Sequence, residues 1–235
     1  AAEFDEVELA SGETIVPHSL YLDFGADSVR GLMLRHARRV ARSTGTLHSP
    51  CRNLYCTWYY YGADIDRRAE NLRFIVREHL PFDVFQIDMG WENCFGDWEA
   101  EEEKFPGGMA RIARALRRRG ILPGLWCAPF VVEEQAAVVR QNPEMFLRNS
   151  AGEFCRFQCV KGACRVVDPF HPAAEGYLVS LFRKFRQWGY GYFKLDFLRA
   201  VLLTADARFH DSRKNRAQAY RHGLELIRAG AGEEG

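Results

Sequence analysis

The sequence has almost no excess charge: 32 basic and 31 acidic side chains leave a formal net charge of +1. So close a balance gives no electrostatic footprint for nucleic acid or an anionic membrane surface. Five lysines against 27 arginines reflect composition bias rather than arginine-specific recognition. No window approaches the ~18 consecutive apolar residues of a membrane span. The opening stretch, "AAEFDEVELASGETIVPHS", is acidic and lacks the basic and apolar regions of a secretory signal, which predicts a cytoplasmic protein. Seven cysteines is an odd number, which excludes a complete disulfide framework and suits reduced thiols. Among them Cys155, Cys159 and Cys164, with His171 nearby, follow C-x3-C-x4-C, which is not a standard zinc spacing. A metal site, a local disulfide and free loop thiols all remain open there. A glycine-rich phosphate loop is also missing. The turn after the first strand of the alternating region, "YYYGADIDRRAE", has a single glycine, which argues against a nucleotide-binding doubly wound sheet.

What is present is apolar and aromatic. Hydrophobic residues make up 47% of the 235, enough for a substantial core. Residues 3–24 carry the short alternating runs "FDEVELA", "ETIVP" and "SLYLDF", which predict β-strands. A helix follows in "GADSVRGLMLRHARRVARS", capped by Asp27 or Ser28, and "TGTLHSP" reads as a linker. A boundary near residue 50 separates residues 1–50, the end of a β-domain with a connecting helix, from residues 51–235. Beyond it strands at 53–62, 82–91, 121–130 and 190–200 alternate with helices at 66–80, 106–120, 171–189 and 213–230, with a short helix in "VVEEQAAVVRQNPEM". That alternation predicts a parallel sheet with helices outside. The polar and tryptophan residues gather at the carboxyl ends of the strands, where a (β/α)8 barrel places its chemistry. The span is too short for a whole barrel of about 250 residues, so the expected fold is the first half of a TIM barrel, preceded by the end of a β-sandwich domain.

Three charged residues stand out. Asp88 ends the apolar run "VFQID", where a carboxylate is costly unless compensated. It either caps the following loop or accepts hydrogen bonds from a polar ligand. Lys194 and Asp196 lie two apart in "GYFKLDFLRA", so a strand would put both on one face. They are either a structural ion pair, or a nucleophilic carboxylate held ionised by a neighbouring cation that also donates to a substrate hydroxyl. Glycoside chemistry needs the second arrangement, because an oxocarbenium-like transition state needs an anion beneath it. Trp58, Trp91, Trp98 and Trp126 follow or end strands, and are either core residues or flat platforms for a pyranose face. The acid run "EAEEEK" at 99–104 reads as a solvated turn.

The segments "CTWYYYG", "FQIDMGWENCFGDWEAEEEKFPGGM", "GILPGLWCAPF", "NPEMFLRNSAGE", "VVDPFHPAA" and "YFKLDFLRA" resemble, in order, the retaining α-galactosidases of glycoside hydrolase family 36, the melibiase-like group. The resemblance covers about residues 25–230. It implies cleavage of terminal α-D-galactosides, oligosaccharides of the melibiose and raffinose type, through a covalent glycosyl–aspartate intermediate. It implies that Asp196 is the nucleophile, that Lys194 binds sugar hydroxyls, and that Asp88 binds the hydroxyls at C4 and C6. Trp58 or Tyr59, with Trp126, would line the glycone pocket, Trp91 would join in substrate binding, and Trp98 would sit at the rim. No metal or organic cofactor is implied. The family's general acid/base is an Asp on a later strand, with no counterpart before Gly235. One departure is plain: where the family commonly reads Asp-Asp-Gly-Trp, this chain has Asp88-Met89-Gly90-Trp91. An α-glycosidase of altered sugar specificity and a non-catalytic carbohydrate-binding homologue are therefore the competing readings. A phosphate-binding barrel lyase is disfavoured, since it would use the loops after the last strands. A half barrel leaves two sheet edges open, so residues 1–235 alone are expected to be poorly stable unless paired with the remainder or with another copy as a homo-oligomer.

Overall fold

The structure, a computed structural model, describes residues 7–16, 20–25, 28–45, 52–61, 68–203 and 206–232. The chain divides into two compact units, one comprising residues 1–3 and 9–52, the other residues 4–8 and 53–235.

The smaller unit is built on one helix, α1 (Val29–Thr44). Ser28 caps it by accepting a hydrogen bond from the Gly31 amide at 3.1 Å, and Gly45 ends it in the left-handed conformation at φ 63°. Asp27, the alternative cap, lies outside the described residues. The strands expected in residues 3–24 are not found among the described residues of that stretch. Alternation supplies a strand's pattern but not its partners, and isolated extended segments have no ladder to join.

The larger unit begins with β1 (Leu54–Cys56), α2 (Trp58–Tyr61), α3 (Arg68–Arg77), β2 (Val84–Ile87), α4 (Gly108–Arg117) and β3 (Leu122–Cys127). An excursion follows, with β4 (Val131–Val132), α5 (Ala137–Gln141), β5 (Arg148–Asn149), β6 (Arg156–Cys159) and β7 (Gly162–Val166). The chain then returns through α6 (Pro172–Trp188), β8 (Tyr192–Leu195), α7 (Ala200–Leu203), β9 (Ala207–Arg208) and α8 (Arg216–Ala231). The central sheet has the order β1-β2-β3-β8 and every pairing in it is parallel. With helices connecting its strands, it is a partial (β/α) barrel.

The helices form where apolar residues recur at helical spacing. In α4 the buried face is Met109, Ala113 and Leu116; in α6 it is Ala174, Leu178, Leu181, Phe182 and Phe185. Asn215 and Gln218 close a capping box at the start of α8. Two expected strands end early. The first stops at Cys56, and Trp58 and Tyr59 stand on the helical turn α2. The fourth stops at Leu195, because Phe197 turns into positive φ at 50°. Asp196 therefore lies just past the strand, although its amide still donates to the Cys127 carbonyl at 2.9 Å.

Candidate active site

The parallel register aligns Gln86 with Gly124 and Gly124 with Tyr192; one layer up it aligns Trp126 with Lys194. Two residues along β2 from Gln86 comes Asp88, so Asp88, Trp126 and Lys194 share the layer at the carboxyl ends of the strands. Asp196 lies two residues beyond Lys194.

Asp88 is 2% exposed. Its Oδ2 accepts three hydrogen bonds, from Lys194 Nζ at 2.7 Å, Gln86 Nε2 at 3.0 Å and Cys56 Sγ at 3.3 Å. Its Oδ1 accepts from the Met89 amide at 3.0 Å, while its own amide donates to Thr57 Oγ1 at 2.9 Å. A buried carboxylate persists only when so compensated. Burial pulls the Lys194 ammonium down, but the hydrogen bond and charge of Asp88 outweigh it and hold the lysine above its ordinary pKa. Burial pushes the Cys56 thiol up to about 11, so it keeps the proton it donates.

Asp196 is held differently. Its Oδ2 accepts from the Trp126 indole Nε1 at 3.1 Å and its Oδ1 from the Phe197 amide at 2.8 Å. The sequence placed Lys194 and Asp196 side by side; in the structure the ion pair that Lys194 forms among the described residues is with Asp88. Asp196 has passed the end of the strand, so the rule that puts alternate residues on one face no longer governs it.

The aromatic residues sort by depth. Trp126 is 1% exposed, and of its ring the indole N–H reaches the site. Trp91 and Trp98 are both 0% exposed, so neither offers a face to a ligand, and the rim position expected for Trp98 is not observed. Trp91 Nε1 donates to the Trp126 carbonyl at 3.0 Å and Trp98 Nε1 to the Tyr177 hydroxyl at 2.8 Å. These two rings are the packing behind Trp126. Tyr59 is open to solvent, with Lys194 Nζ 5.8 Å from its ring centroid, and Trp58 is 38% exposed.

Several residues escaped the sequence reading. Gln86 had a legible signal, a polar residue of the same strand parity as Asp88 in "VFQID". Cys56 had none, since its partner is a strand away. Glu92 is 2% exposed, accepts from the Gly90 amide at 3.0 Å, and is pushed up to about 7 by burial. The hairpin β6–β7 leans on the site: Phe157 lies 5.7 Å from Phe197, and Lys161 Nζ 5.6 Å from the Phe95 ring. Among the described residues no group of three or more His, Cys, Asp or Glu is placed to hold a metal ion. His171 instead caps α6, its Nδ1 accepting from the Ala173 amide at 3.2 Å.

A carboxylate presented at a strand end lies where a barrel places its active site. Residues 53–224 match the family described as "Glycosyl hydrolases family 31 TIM-barrel domain", and the chain belongs to that family. It is 25% identical over 153 residues to the bifunctional alpha-galactosidase/sucrose kinase AgaSK of Mediterraneibacter gnavus, an alignment covering 60% of this chain and 16% of that protein. It is similar to TtGalA, an alpha-galactosidase from Thermus thermophilus solved with p-nitrophenyl alpha-D-galactopyranoside, at 32% identity and a TM-score of 0.69, over 80% of this chain and 38% of that one. A GH31 alpha-xylosidase from a soil metagenome shares the fold, at 18% identity and a TM-score of 0.61, over 76% of this chain and 27% of that one. The chain thus spans well under half the length of each.

Proposed function

We propose that the chain carries the nucleophile half of the catalytic barrel of a retaining glycoside hydrolase of the α-galactosidase type, akin to family 36, acting on terminal α-D-galactosides. The observation that carries the proposal is Asp196: a carboxylate at the carboxyl end of a barrel strand, oriented by one indole and one amide N–H. In this reading Asp196 attacks the anomeric carbon, the bond to the leaving oxygen breaks, and a glycosyl–aspartate ester forms. An aspartate on a later strand protonates the departing oxygen. Water then hydrolyses the ester with that same aspartate acting as base. Lys194 and Asp88, fixed to one another, bind sugar hydroxyls as donor and acceptor, while Trp58, Tyr59 and the edge of Trp126 border the glycone.

The relatives support this substrate class. TtGalA was also solved with stachyose, an oligosaccharide of the type proposed. Met89 sits in the hydrophobic core at 8% exposure, so of the two adjacent positions 88 and 89 only Asp88 supplies a carboxylate.

The test is Asp196→Ala in the full-length protein, assayed on aryl α-galactosides. The expected loss in kcat is at least about 10³-fold, with azide restoring turnover and giving the β-galactosyl azide. Near wild-type activity in the variant would falsify the assignment.

A further inference from the structure

We propose that Cys159 and Cys164 are a reversible oxidation site, closing into a disulfide across the β6–β7 hairpin. The two sulfurs are 3.5 Å apart. The antiparallel register pairs Phe157 with Cys164 and Cys159 with Gly162, which puts Phe157, Cys159 and Cys164 on one face of the hairpin. The thiols therefore meet diagonally on an existing strand pair, and closing the bond asks for side-chain rotation rather than a change of register. Cys164 is fully buried, Cys159 is half-buried, and the hairpin tip next to Cys159 is open, with Val160 at 67% exposure. Among the described cysteines this is the one sulfur–sulfur contact within hydrogen-bonding distance; Cys56 and Cys94 hydrogen-bond to oxygen instead.

The exposures order the steps. With a peroxide as oxidant, the Cys159 sulfur attacks the O–O bond, which breaks, leaving a sulfenic acid on Cys159 and releasing water. The Cys164 sulfur then attacks the Cys159 sulfur. The S–O bond breaks, the S–S bond forms, and the Cys164 proton leaves with the oxygen as a second water. Two thiols are oxidised by two electrons and one peroxide is reduced to two waters. Burial holds the Cys164 thiol well above its ordinary pKa, which suits it to the second, intramolecular step rather than the first. A dithiol reductant reverses the reaction by exchange. The bond would tie β7 to β6, whose Phe157 packs against Phe197, the residue after Asp196. The site stands on its own geometry and does not depend on the glycosidase reading.

Trypsin offers a direct test on the full-length protein, because Arg156, Lys161 and Arg165 bracket and separate the two cysteines. Native protein is treated with hydrogen peroxide under conditions that leave its far-UV circular dichroism unchanged, alkylated, and digested. The expected product is peptide 157–161 joined to peptide 162–165, converted to two free peptides by dithiothreitol. In a Cys164→Ser variant the linked pair should vanish and a dimedone adduct should appear on Cys159. The proposal is overturned if the native protein yields the two peptides separately alkylated. Linkage of either cysteine to a different partner overturns it as well, as does a linked pair that forms only after unfolding in urea.

Discussion

Asp88 concentrates three donors on one oxygen, and the donors differ in kind: an ammonium, an amide and a thiol. Removing the ammonium leaves a carboxylate that is 2% exposed with neutral partners only. Breaking a wholly buried pair costs ~3–5 kcal/mol. Lys194 is 32% exposed, so solvent screens part of that loss. Lys194→Met is therefore expected to destabilise the protein by ~2 kcal/mol, read as a lowered urea midpoint, and Lys194→Arg by less. Glu92 makes a second prediction at this scale. Its folded-state value of about 7 lies above the ordinary carboxylate range, so the folded protein keeps a proton that the unfolded chain releases. Its contribution to stability is complete below that range and is lost as pH rises through 7. The groups around it are the Gly90 amide, Lys161, which favours the charged form, and Glu133, which opposes it. Glu92→Gln should flatten the descent, so that the variant's stability relative to wild type climbs between pH 4.5 and 7 by up to ~1.4 kcal/mol per unit. Equal slopes for the two proteins would refute the assignment. The charges themselves were legible, because Asp88 and Lys194 interrupt apolar runs. Their pairing was not. The partners are 106 residues apart, and which carboxylate meets the lysine is decided by the point at which β8 ends.

Elements pack through glycines at two places where a Cβ has no room. At Gly124 an added Cβ would lie 2.9 Å from Gln86 Cβ and 3.0 Å from its Cα, both anchored to the neighbouring strand. At Gly230 on α8 it would lie 2.5 Å from the Val179 carbonyl oxygen on α6. Neither neighbour can rotate away, so Gly124→Ala and Gly230→Ala should each cost ~1–3 kcal/mol as overpacking, measured by thermal or urea unfolding. Gly124→Ala should also disturb the site, since Gln86 is a donor to Asp88. The order of parallel strands and helices could be read from the sequence because each helix has a periodic apolar face and each central strand is an apolar run. The β6–β7 hairpin could not. "CRFQC" and "GACRV" alternate too weakly, and their partner is each other plus β4 rather than the main sheet.

At the scale of the whole molecule, the central sheet ends on β1 and β8, and among the described residues neither has a partner on its outer side. β2 is completely buried and β3 nearly so, whereas β8 is partly exposed along its length. Open parallel edges of this kind invite pairing with other chains. Residues 1–235 in isolation are expected to self-associate or to melt without a sharp transition, followed by light scattering and calorimetry. A clean monomer with a cooperative transition would show that the partial barrel is a folding unit. The linear order of the barrel was plain in the sequence; the state of its edges depends on what lies beyond the sheet.

The lysine–aspartate pair has a consequence for biosynthesis. It joins β2 to the strand that lies on the far side of β3, so it cannot form until three of the four strands are in place and the last has been made. A chain emerging from the ribosome amino end first holds Asp88 through the synthesis of more than a hundred further residues before its cation arrives. During that interval β2 and β3 cannot bury the carboxylate cheaply, and the nascent sheet stays open on the face that will become the site. Docking of β8 thus delivers Lys194 and Asp196 together.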